Sequence, residues 1–392
     1  MLVGIVGAPN KGKSTLFSAL TSIDVQIADY PFTTIKPNVG VAYVTKRCPD
    51  SELHVKCNPK NSMCTDGTRM IPVKIIDVAG LVEGAHEGKG MGNQFLNDIA
   101  AADALIIVAD ASGRTDANGN QCDGCDPSKD VSTVTGEMAE WLAGIIARHS
   151  KELSRAKDTA SALSSVLAGL KVSGTQVSTS MARCGLASSG NDWAGSGAKK
   201  FAQDLLAESK PFLVAANKSD VPGSAPNVER LRSAFGQGNV IACSAAVELA
   251  LRKAVRSGII SYDPDRRSVK ILKSGIPKEQ ADALGYMIRF VGENGTGVQQ
   301  IINRIYLDML DNIVVYPVED ENRYTDSVGN VLPDAILLKR GSTAQDLAAA
   351  IHTELAKGML YAIDARKKMR IAKEHVLNDN DIIKIVSSAK QK

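Results

Sequence analysis

The chain has 392 residues, 44% hydrophobic and 23% charged, which is more length than one core usually serves and enough apolar surface to bury several. Its formal charge of +3 is too small to mark the whole surface as a nucleic-acid binder, so any basic contact face must be local. No run of about eighteen apolar residues occurs and no cleavable leader opens the chain, which predicts a cytoplasmic protein without a membrane partner. Seven cysteines, an odd number, argue for mostly reduced thiols rather than a disulfide framework.

The first strand-like run, Leu2-Val3-Gly4-Ile5-Val6, leads into Gly7-Ala8-Pro9-Asn10-Lys11-Gly12-Lys13-Ser14-Thr15. The pattern G-x-x-x-x-G-K-[ST] reads as a phosphate-binding loop. Glycines let successive backbone N–H groups curl around a polyphosphate, the lysine reaches the outer phosphates, and the hydroxyl holds Mg²⁺. A helix starting near Thr15 would add its positive dipole end to the same anion site. Pro9, Asn10, Lys11, Gly12, Lys13, Ser14 and Thr15 are therefore candidate nucleotide-binding residues. The competing reading is a glycine-rich surface turn, and the elements downstream argue against it.

Residues 29–40 are rich in proline and threonine. In a Mg²⁺-dependent switch a threonine here closes over the γ-phosphate and gives its hydroxyl to the metal; Thr33 and Thr34 compete for that role. Residues 72–77 form a buried-strand run ending in Asp77-Val78-Ala79-Gly80, where Asp77 can reach a metal-bound water and the Gly80 N–H can point at the γ-phosphate. Within 113–210, Met138, Trp141, Leu142, Ile145 and Ile146 share a helical face, as do Leu163, Val166, Leu167 and Leu170. Two antiparallel helices burying these stripes are expected, with loops at 173–180 and 185–197 and a last helix near 201–206. Cys48, Cys57 and Cys64 precede the Asp77 strand, and Cys122 and Cys125 open the 113–210 stretch. A C-x-x-C pair is half a zinc site, but no partner stands at a usual spacing, so reduced bystander thiols are expected ahead of structural zinc or redox sensing.

Residues 211–216 feed Asn217-Lys218-Ser219-Asp220. The Asp220 carboxylate can accept from the ring N–H and exocyclic amine of guanine, whereas adenine presents an acceptor there; such a polar site discriminates by about 10⁴ or more. Residues 239–242 end in Cys243-Ser244-Ala245, where a backbone N–H at Ser244 or Ala245 can donate to guanine O6. From about residue 312 the character changes: strand-like runs at 313–318 and 335–339, a Thr343/Asp346 capping box opening a helix to Leu355, and a closing strand at 380–386. That is a small α+β module of ubiquitin-like order. Arg366, Lys367, Lys368, Arg370 and Lys373 form a basic run that could meet phosphates or serve as a solvated hairpin face.

GAPNKGKST at 7–15, ADYPFTTIKPNVG at 28–40 and DVAGLVEGAHEGKGMGNQFL at 77–96 resemble the translation-factor-like GTPases of the Obg class, and within it the archaeal-looking members of the YchF-type branch. With Asn217–Asp220, residues 243–245 and the C-terminal stretch, the resemblance covers all but about 113–210. It implies an α/β P-loop NTPase G domain, a mostly parallel sheet with helices on both faces, carrying an inserted helical hairpin and a C-terminal ubiquitin-like α+β TGS domain. The corresponding division is G domain at 1–112 and 211–311, insertion at 113–210 and TGS-like domain at 312–392. It also implies Thr34, with Ser14 and Asp77, as the metal-binding set, K⁺ held beside the phosphates by Asn10, and a ribosome or RNA partner reached through the TGS-like domain. Several YchF proteins replace N-K-x-D and favour ATP, but Asn217, Lys218 and Asp220 are intact, which favours GTP and GDP. Leu81 stands where Ras-like proteins carry a water-orienting glutamine, so slow hydrolysis is expected, with Lys13 and Thr34 as the catalytic candidates. Glu83, His86 and Gln94 could each position water, and none is assigned. The expected function is a nucleotide-dependent switch that slowly hydrolyses GTP, on the ribosome or in translation. An ATPase of the same fold and a non-switching RNA-binding scaffold are the alternatives, and the oligomeric state is open.

Overall fold

The computed structural model describes residues 1–22, 38–78, 84, 92–186, 193 and 195–388, with backbone alone at 92–96. The opening apolar run is strand β1 (Leu2–Val6), followed by helix α1 (Lys13–Thr21), β2 (Val39–Arg47), β3 (Met63–Thr65), β4 (Thr68–Asp77), α2 (Gly92–Ala101) and β5 (Ala104–Asp110). Next, among the described residues, come the α-helices α3 (Ser128–Arg148), α4 (Ser150–Arg155), α5 (Thr159–Val166), α6 (Gly174–Cys184) and α7 (Ser196–Ser209). Then β6 (Phe212–Asn217), α8 (Ala225–Phe235), β7 (Val240–Ala242) and α9 (Ala245–Arg256) complete the nucleotide-fold alternation.

The strands lie in the order β2-β4-β1-β5-β6-β7, with β3 folded back on β4. β1 pairs in parallel with β4 and β5, β5 with β6, and β6 with β7. Every residue of β5 is buried, as a parallel strand covered on both faces requires. Because these strands run the same way, their carboxyl ends at Val6, Asp77, Asp110, Asn217 and Ala242 emerge along one edge of the sheet. That edge is where open α/β sheets take their ligands.

In the 113–210 stretch, Met138, Leu142 and Ile146 are buried in one core with Leu163, Leu167 and Leu170, as the stripes predict. The direct packing partner of α3 is α7, however, and α6 fills the space between α5 and α7. Residues 173–180, expected as a loop, begin α6. Ser173 accepts from the Gln176 N–H while the Gln176 side chain accepts from the Ser173 N–H, and this reciprocal cap offsets the poor helix propensity of the Gly/Ser/Thr run.

The remaining elements are β8 (Ile260–Asp263), β9 (Ser268–Ile271), α10 (Lys278–Asn294), α11 (Val298–Asn303), β10 (Asn312–Val318), β11 (Ile336–Lys339), α12 (Ala344–Ile351), α13 (Thr353–Lys357), β12 (Met359–Asp364), β13 (Met369–Ile371) and β14 (Ile382–Ser387). The chain divides into two compact units, one containing Lys74–Ile301 with the N-terminal residues, the other Ala42–Val73 with Ile302–Lys392. In the second unit five strands lie in the order β11-β10-β14-β12-β13, with α12 across them. Side chains alternate along β10, so Ile313 and Val315 join Leu347, Ala348 and Ile383 on the helix side. Val314, Tyr316 and Val318 face the other way and pack with Cys48, Ile71 and Ile382. The Thr343/Asp346 capping box forms as expected, but the helix it opens breaks at His352, whose extended backbone and side-chain cap on Glu354 N start α13. No helix among the described residues is long and apolar enough to cross a membrane.

Candidate functional site: the β1–α1 loop and its neighbours

β1 ends in the core, and the chain must turn sharply before α1. Asn10 (φ 62) and Gly12 (φ 93) take left-handed backbone, and a Cβ on Gly12 would lie 2.3 Å from the Asn217 amide nitrogen, so only glycine fits. Lys13, buried at the first turn of α1, donates from Nζ to the Ala8 carbonyl at 2.9 Å and so folds back over the loop. Burial pushes its ammonium below the usual lysine range, against the opposing pull of Asp77. Ser14 Oγ donates to Asp77 Oδ2 at 3.1 Å. Asp77 Oδ1 is buried with no hydrogen-bond partner among the described residues, and burial pushes this carboxyl above its usual range despite Ser14 and Lys13. An orphaned carboxylate oxygen beside a serine hydroxyl is the hard oxygen donor set Mg²⁺ takes, so Ser14 and Asp77 fit that ion. Pro9 and Thr15 are half-buried along the same turn.

Lys11 behaves differently from its neighbours. Its side chain turns inward, 2.8 Å from Asp130 Oδ1 in a fully buried pair, and donates to Thr115 O (3.0 Å), Thr115 Oγ1 (2.9 Å) and Asp116 O (2.7 Å). Burial pushes the Asp130 carboxyl up to about 6, with Lys11 opposing the rise. Only the Lys11 backbone is left to face an anion. Asn10 Nδ2 donates to Gly119 O at 2.9 Å, so residues 113–125 grip the phosphate-type loop from outside. Gly119 (φ 85) comes so close that a Cβ there would sit 2.6 Å from Pro9 O. A Cys122–Cys125 disulfide, Cα atoms 6.2 Å apart, joins residues held near Gly113 by the Cys125 N–H to Gly113 O bond of 3.0 Å. This corrects the expectation of reduced thiols for that pair, which the local fold brings together. Thr115, Asp116 and Asp130 carried no sequence signal. Asp110 carried one, as the polar residue closing a wholly apolar strand.

Asn217, at the end of β6, has its side chain buried between two loops. Its Nδ2 donates to Lys11 O at 2.9 Å, and its Oδ1 accepts from Ala245 N at 3.0 Å. Lys218 donates to Asn10 O at 3.0 Å and to Asp110 Oδ2 at 2.8 Å. Burial alone would raise Asp110, but its bonds from Lys218, Ser112 and Thr115 outweigh that and hold it below the usual carboxylate range. Asn217 and Lys218 therefore clasp the β1–α1 loop to the carboxyl end of β6. Asp220 is half-buried beside them, its backbone carbonyl accepting from Tyr286 Oη at 2.9 Å. Ser244 and Ala245 correct the sequence reading. The Ser244 N–H goes to Thr296 O (2.9 Å) and the Ala245 N–H to Asn217, while Ser244 Oγ caps α9 through Val247 N, so both candidate donors to a base oxygen are engaged inside the protein.

Thr34 and Gly80 lie outside the described residues, as do Thr33, Leu81, Glu83, His86 and the Gln94 side chain. Gly84 is described, and its N–H donates to Glu137 Oε1 on α3 at 2.8 Å. In the C-terminal module the basic run is largely engaged. Arg366 pairs with Glu52 at 3.1 Å and Lys367 with Asp364 at 3.0 Å, Lys368 donates to Glu321 O, and Arg370 stacks over the Tyr361 ring at 3.8 Å. Internal pairing of this kind fits a solvated hairpin face better than an open phosphate stripe.

The chain matches the family model described as 50S ribosome-binding GTPase over residues 2–150, the Obg-like GTPase YGR210-like, G4 motif-containing domain over 215–320, and the TGS domain over 328–387. An uncharacterised GTP-binding protein of Methanocaldococcus jannaschii is 48% identical over 99% of this chain and 100% of its own length. The ribosome-binding ATPase YchF of Bacillus subtilis is 29% identical over 98% of both chains. Among solved structures, a GTP-binding protein of Pyrococcus horikoshii has a TM-score of 0.76 at 37% identity, covering 99% of this chain and 100% of that one. With the strand-end geometry, these likenesses settle what the motifs implied: the chain belongs to the Obg-like GTPases of the YchF type, with a P-loop G domain and a C-terminal TGS domain.

Proposed function

We propose that the protein binds GTP and GDP with Mg²⁺ at the β1–α1 loop, slowly hydrolyses GTP to GDP and phosphate, and acts in the cytoplasm as a nucleotide-dependent switch on the ribosome. One observation carries this reading: Lys13, Ser14 and Asp77 converge at a parallel sheet's carboxyl edge, clasped by Asn217 to the strand end that bears Asp220. In this reading Lys13 exchanges the Ala8 carbonyl for outer phosphate oxygens, and a buried cation of that kind stabilises charge that develops on the transferring group. Ser14 and Asp77, with Thr34, would hold Mg²⁺, which would supply charge neutralisation at the phosphates. The Gly80 N–H holds the γ-phosphate. Asp220 carries the guanine reading, since the Ser244 and Ala245 N–H groups are already engaged. With Leu81 after Gly80, no amide side chain orients the attacking water at that position, and turnover is slow.

The division that serves this function is G domain at 1–112 and 211–311, insertion at 113–210 and partner-facing module at 312–392, with residues 42–73 of the first segment belonging to the same compact unit as the C-terminal module. Ribosome binding is supported by the description of the matched GTPase family and by the name of the B. subtilis relative. The same relative's name favours a second reading, an ATPase of this fold. Calorimetry with GTP, GDP and ATP analogues, in Mg²⁺ buffers containing K⁺ or Na⁺, separates the two and tests the K⁺ role implied for Asn10. A guanine preference of about a hundredfold or more, lost in Asp220→Ala, supports the GTPase. Equal or tighter ATP binding overturns it.

A further inference from the structure

Between β2 and β3, residues 48–62 form no helix or strand, an unusual length of irregular chain for a compact fold. Three thiols and a carboxylate meet there. Cys48 follows the last residue of β2 and is fixed by its N–H to Gly67 O at 2.8 Å. Asp50 and Cys57 lie on the irregular stretch, and Cys64 is central in β3, opposite Arg69 of β4. The four ligand atoms all lie within 4.8 Å of one another. Cys48 and Cys57 Sγ are 3.9 Å apart, and Cys57 Sγ donates to Asp50 Oδ2 at 3.1 Å. All three cysteines are reduced.

We propose that Cys48, Asp50, Cys57 and Cys64 form a tetrahedral structural zinc site. With Zn–S near 2.3 Å and Zn–O near 2.0–2.2 Å, a tetrahedron has S–S edges of about 3.8 Å and S–O edges of about 3.5 Å. The Cys48–Cys57 pair stands near that edge length and the Cys57–Asp50 pair inside it, and with every pair within 4.8 Å closing on an ion needs shifts of about 1 Å or less. Thiolates select soft or borderline ions, and four protein ligands leave no open position, which makes the site structural rather than catalytic. Ligand atoms this close enclose one ion and leave no room for a polynuclear iron–sulfur cluster. Binding releases the thiol protons to solvent and moves no electrons.

The surroundings are built for an anionic centre. Arg69 is fully buried, donates to Ser62 Oγ at 3.1 Å and to Leu332 O, and lies over the Tyr316 ring. Its fixed positive charge, on the register partner of Cys64, offsets part of the net negative charge of three thiolates, a carboxylate and Zn²⁺. The site would pin residues 48–62, whose Asn58 and Lys60 N–H groups bond to Val331 O (3.1 Å) and Pro333 O (2.8 Å). The C-x₈-C-x₆-C spacing has no C-x-x-C signature, which is why the sequence alone favours bystander thiols.

The test is metal analysis by plasma mass spectrometry on the full chain, expressed with added zinc and dialysed against metal-free buffer, alongside Cys57→Ser, Asp50→Asn and Cys184→Ser. About one zinc per chain is expected in the parent and in Cys184→Ser, and less than about a tenth in Cys57→Ser. Asp50→Asn, which keeps the shape, should retain cobalt but shift its thiolate-to-metal absorption and weaken affinity about tenfold or more. Two readings on the parent need no variant: a chelator should raise the count of reactive thiols by three, and zinc should reverse it. Less than about a tenth of a zinc with thiols reactive throughout overturns the site, as does a Cys48–Cys57 disulfide in peptide mass maps. Full zinc in Cys57→Ser, or iron in place of zinc, overturns it equally.

Discussion

Asn217 belongs to the motif assigned to base recognition, yet its side chain spends both ends on protein backbone. Replacing it with alanine strands the Lys11 carbonyl and the Ala245 N–H in a site where Asn217 itself is 3% exposed. Each buried group left unpaired costs about 1–3 kcal/mol, so Asn217→Ala should lose about 3–4 kcal/mol. At about 2–4 °C per kcal/mol for a unit of this size, the melting temperature should fall by roughly 6–16 °C. Asp220→Ala, by contrast, removes a half-buried carboxylate and should stay within about 0.5 kcal/mol. Differential scanning calorimetry measures both. Binding of inorganic pyrophosphate adds a second axis, because it carries no base. If Asn217 clasps the phosphate-type loop, Asn217→Ala weakens pyrophosphate as well as GTP, while Asp220→Ala leaves pyrophosphate untouched. An Asn217→Ala protein that melts within about 1 °C of the parent and binds pyrophosphate normally refutes the clasp.

Lys210, at the end of α7, is buried and donates to the Ala100 carbonyl at 2.9 Å and to the Ala102 carbonyl. Burial pushes it down to about 8 from 10.5, so the folded chain releases this proton before the unfolded chain does. The penalty is therefore complete below about pH 8 and is relieved as pH rises toward 10.5, a gain of at most about 3 kcal/mol. In urea melts the stability of the parent relative to Lys210→Met should rise between pH 7.5 and 10; a constant gap refutes it. Gly119→Ala should force the 113–125 segment off Pro9, at a cost of about 1–3 kcal/mol, and raise the GTP dissociation constant about fivefold or more. An unchanged constant would show that this segment does not support the loop.

Local patterns carried the parts of this protein that a short stretch of chain determines. The Gly7–Ser14 turn, the buried strand ahead of Asp77 and the Thr343/Asp346 cap each need neighbours within a few residues, and each stands where the sequence places it. What escaped depends on distant partners. Lys11 reads as a phosphate contact until Asp130 appears beneath it, and the Ala245 N–H reads as a base donor until Asn217 takes it. The α6 helix was hidden by Gly and Ser, whose low propensity the Ser173/Gln176 cap offsets. The membership of residues 42–73 in the second unit had no sequence signal, because alternation along β10 fixes which residues are apolar and not what covers them.

That last arrangement bears on how the chain is made. Cys48 and Ile71 leave the ribosome early, but Val314, Tyr316 and Ile382, which cover them, follow some 240 residues or more later. At about 5–20 residues per second the early apolar surface stays bare for roughly 12–50 s during synthesis, a window in which chaperones and aggregation compete for it. Cutting the gene before β10 makes the wait permanent. A deletion of the C-terminal module therefore reports two losses together: the module itself, and the cover over an N-terminal segment that cannot complete its core alone.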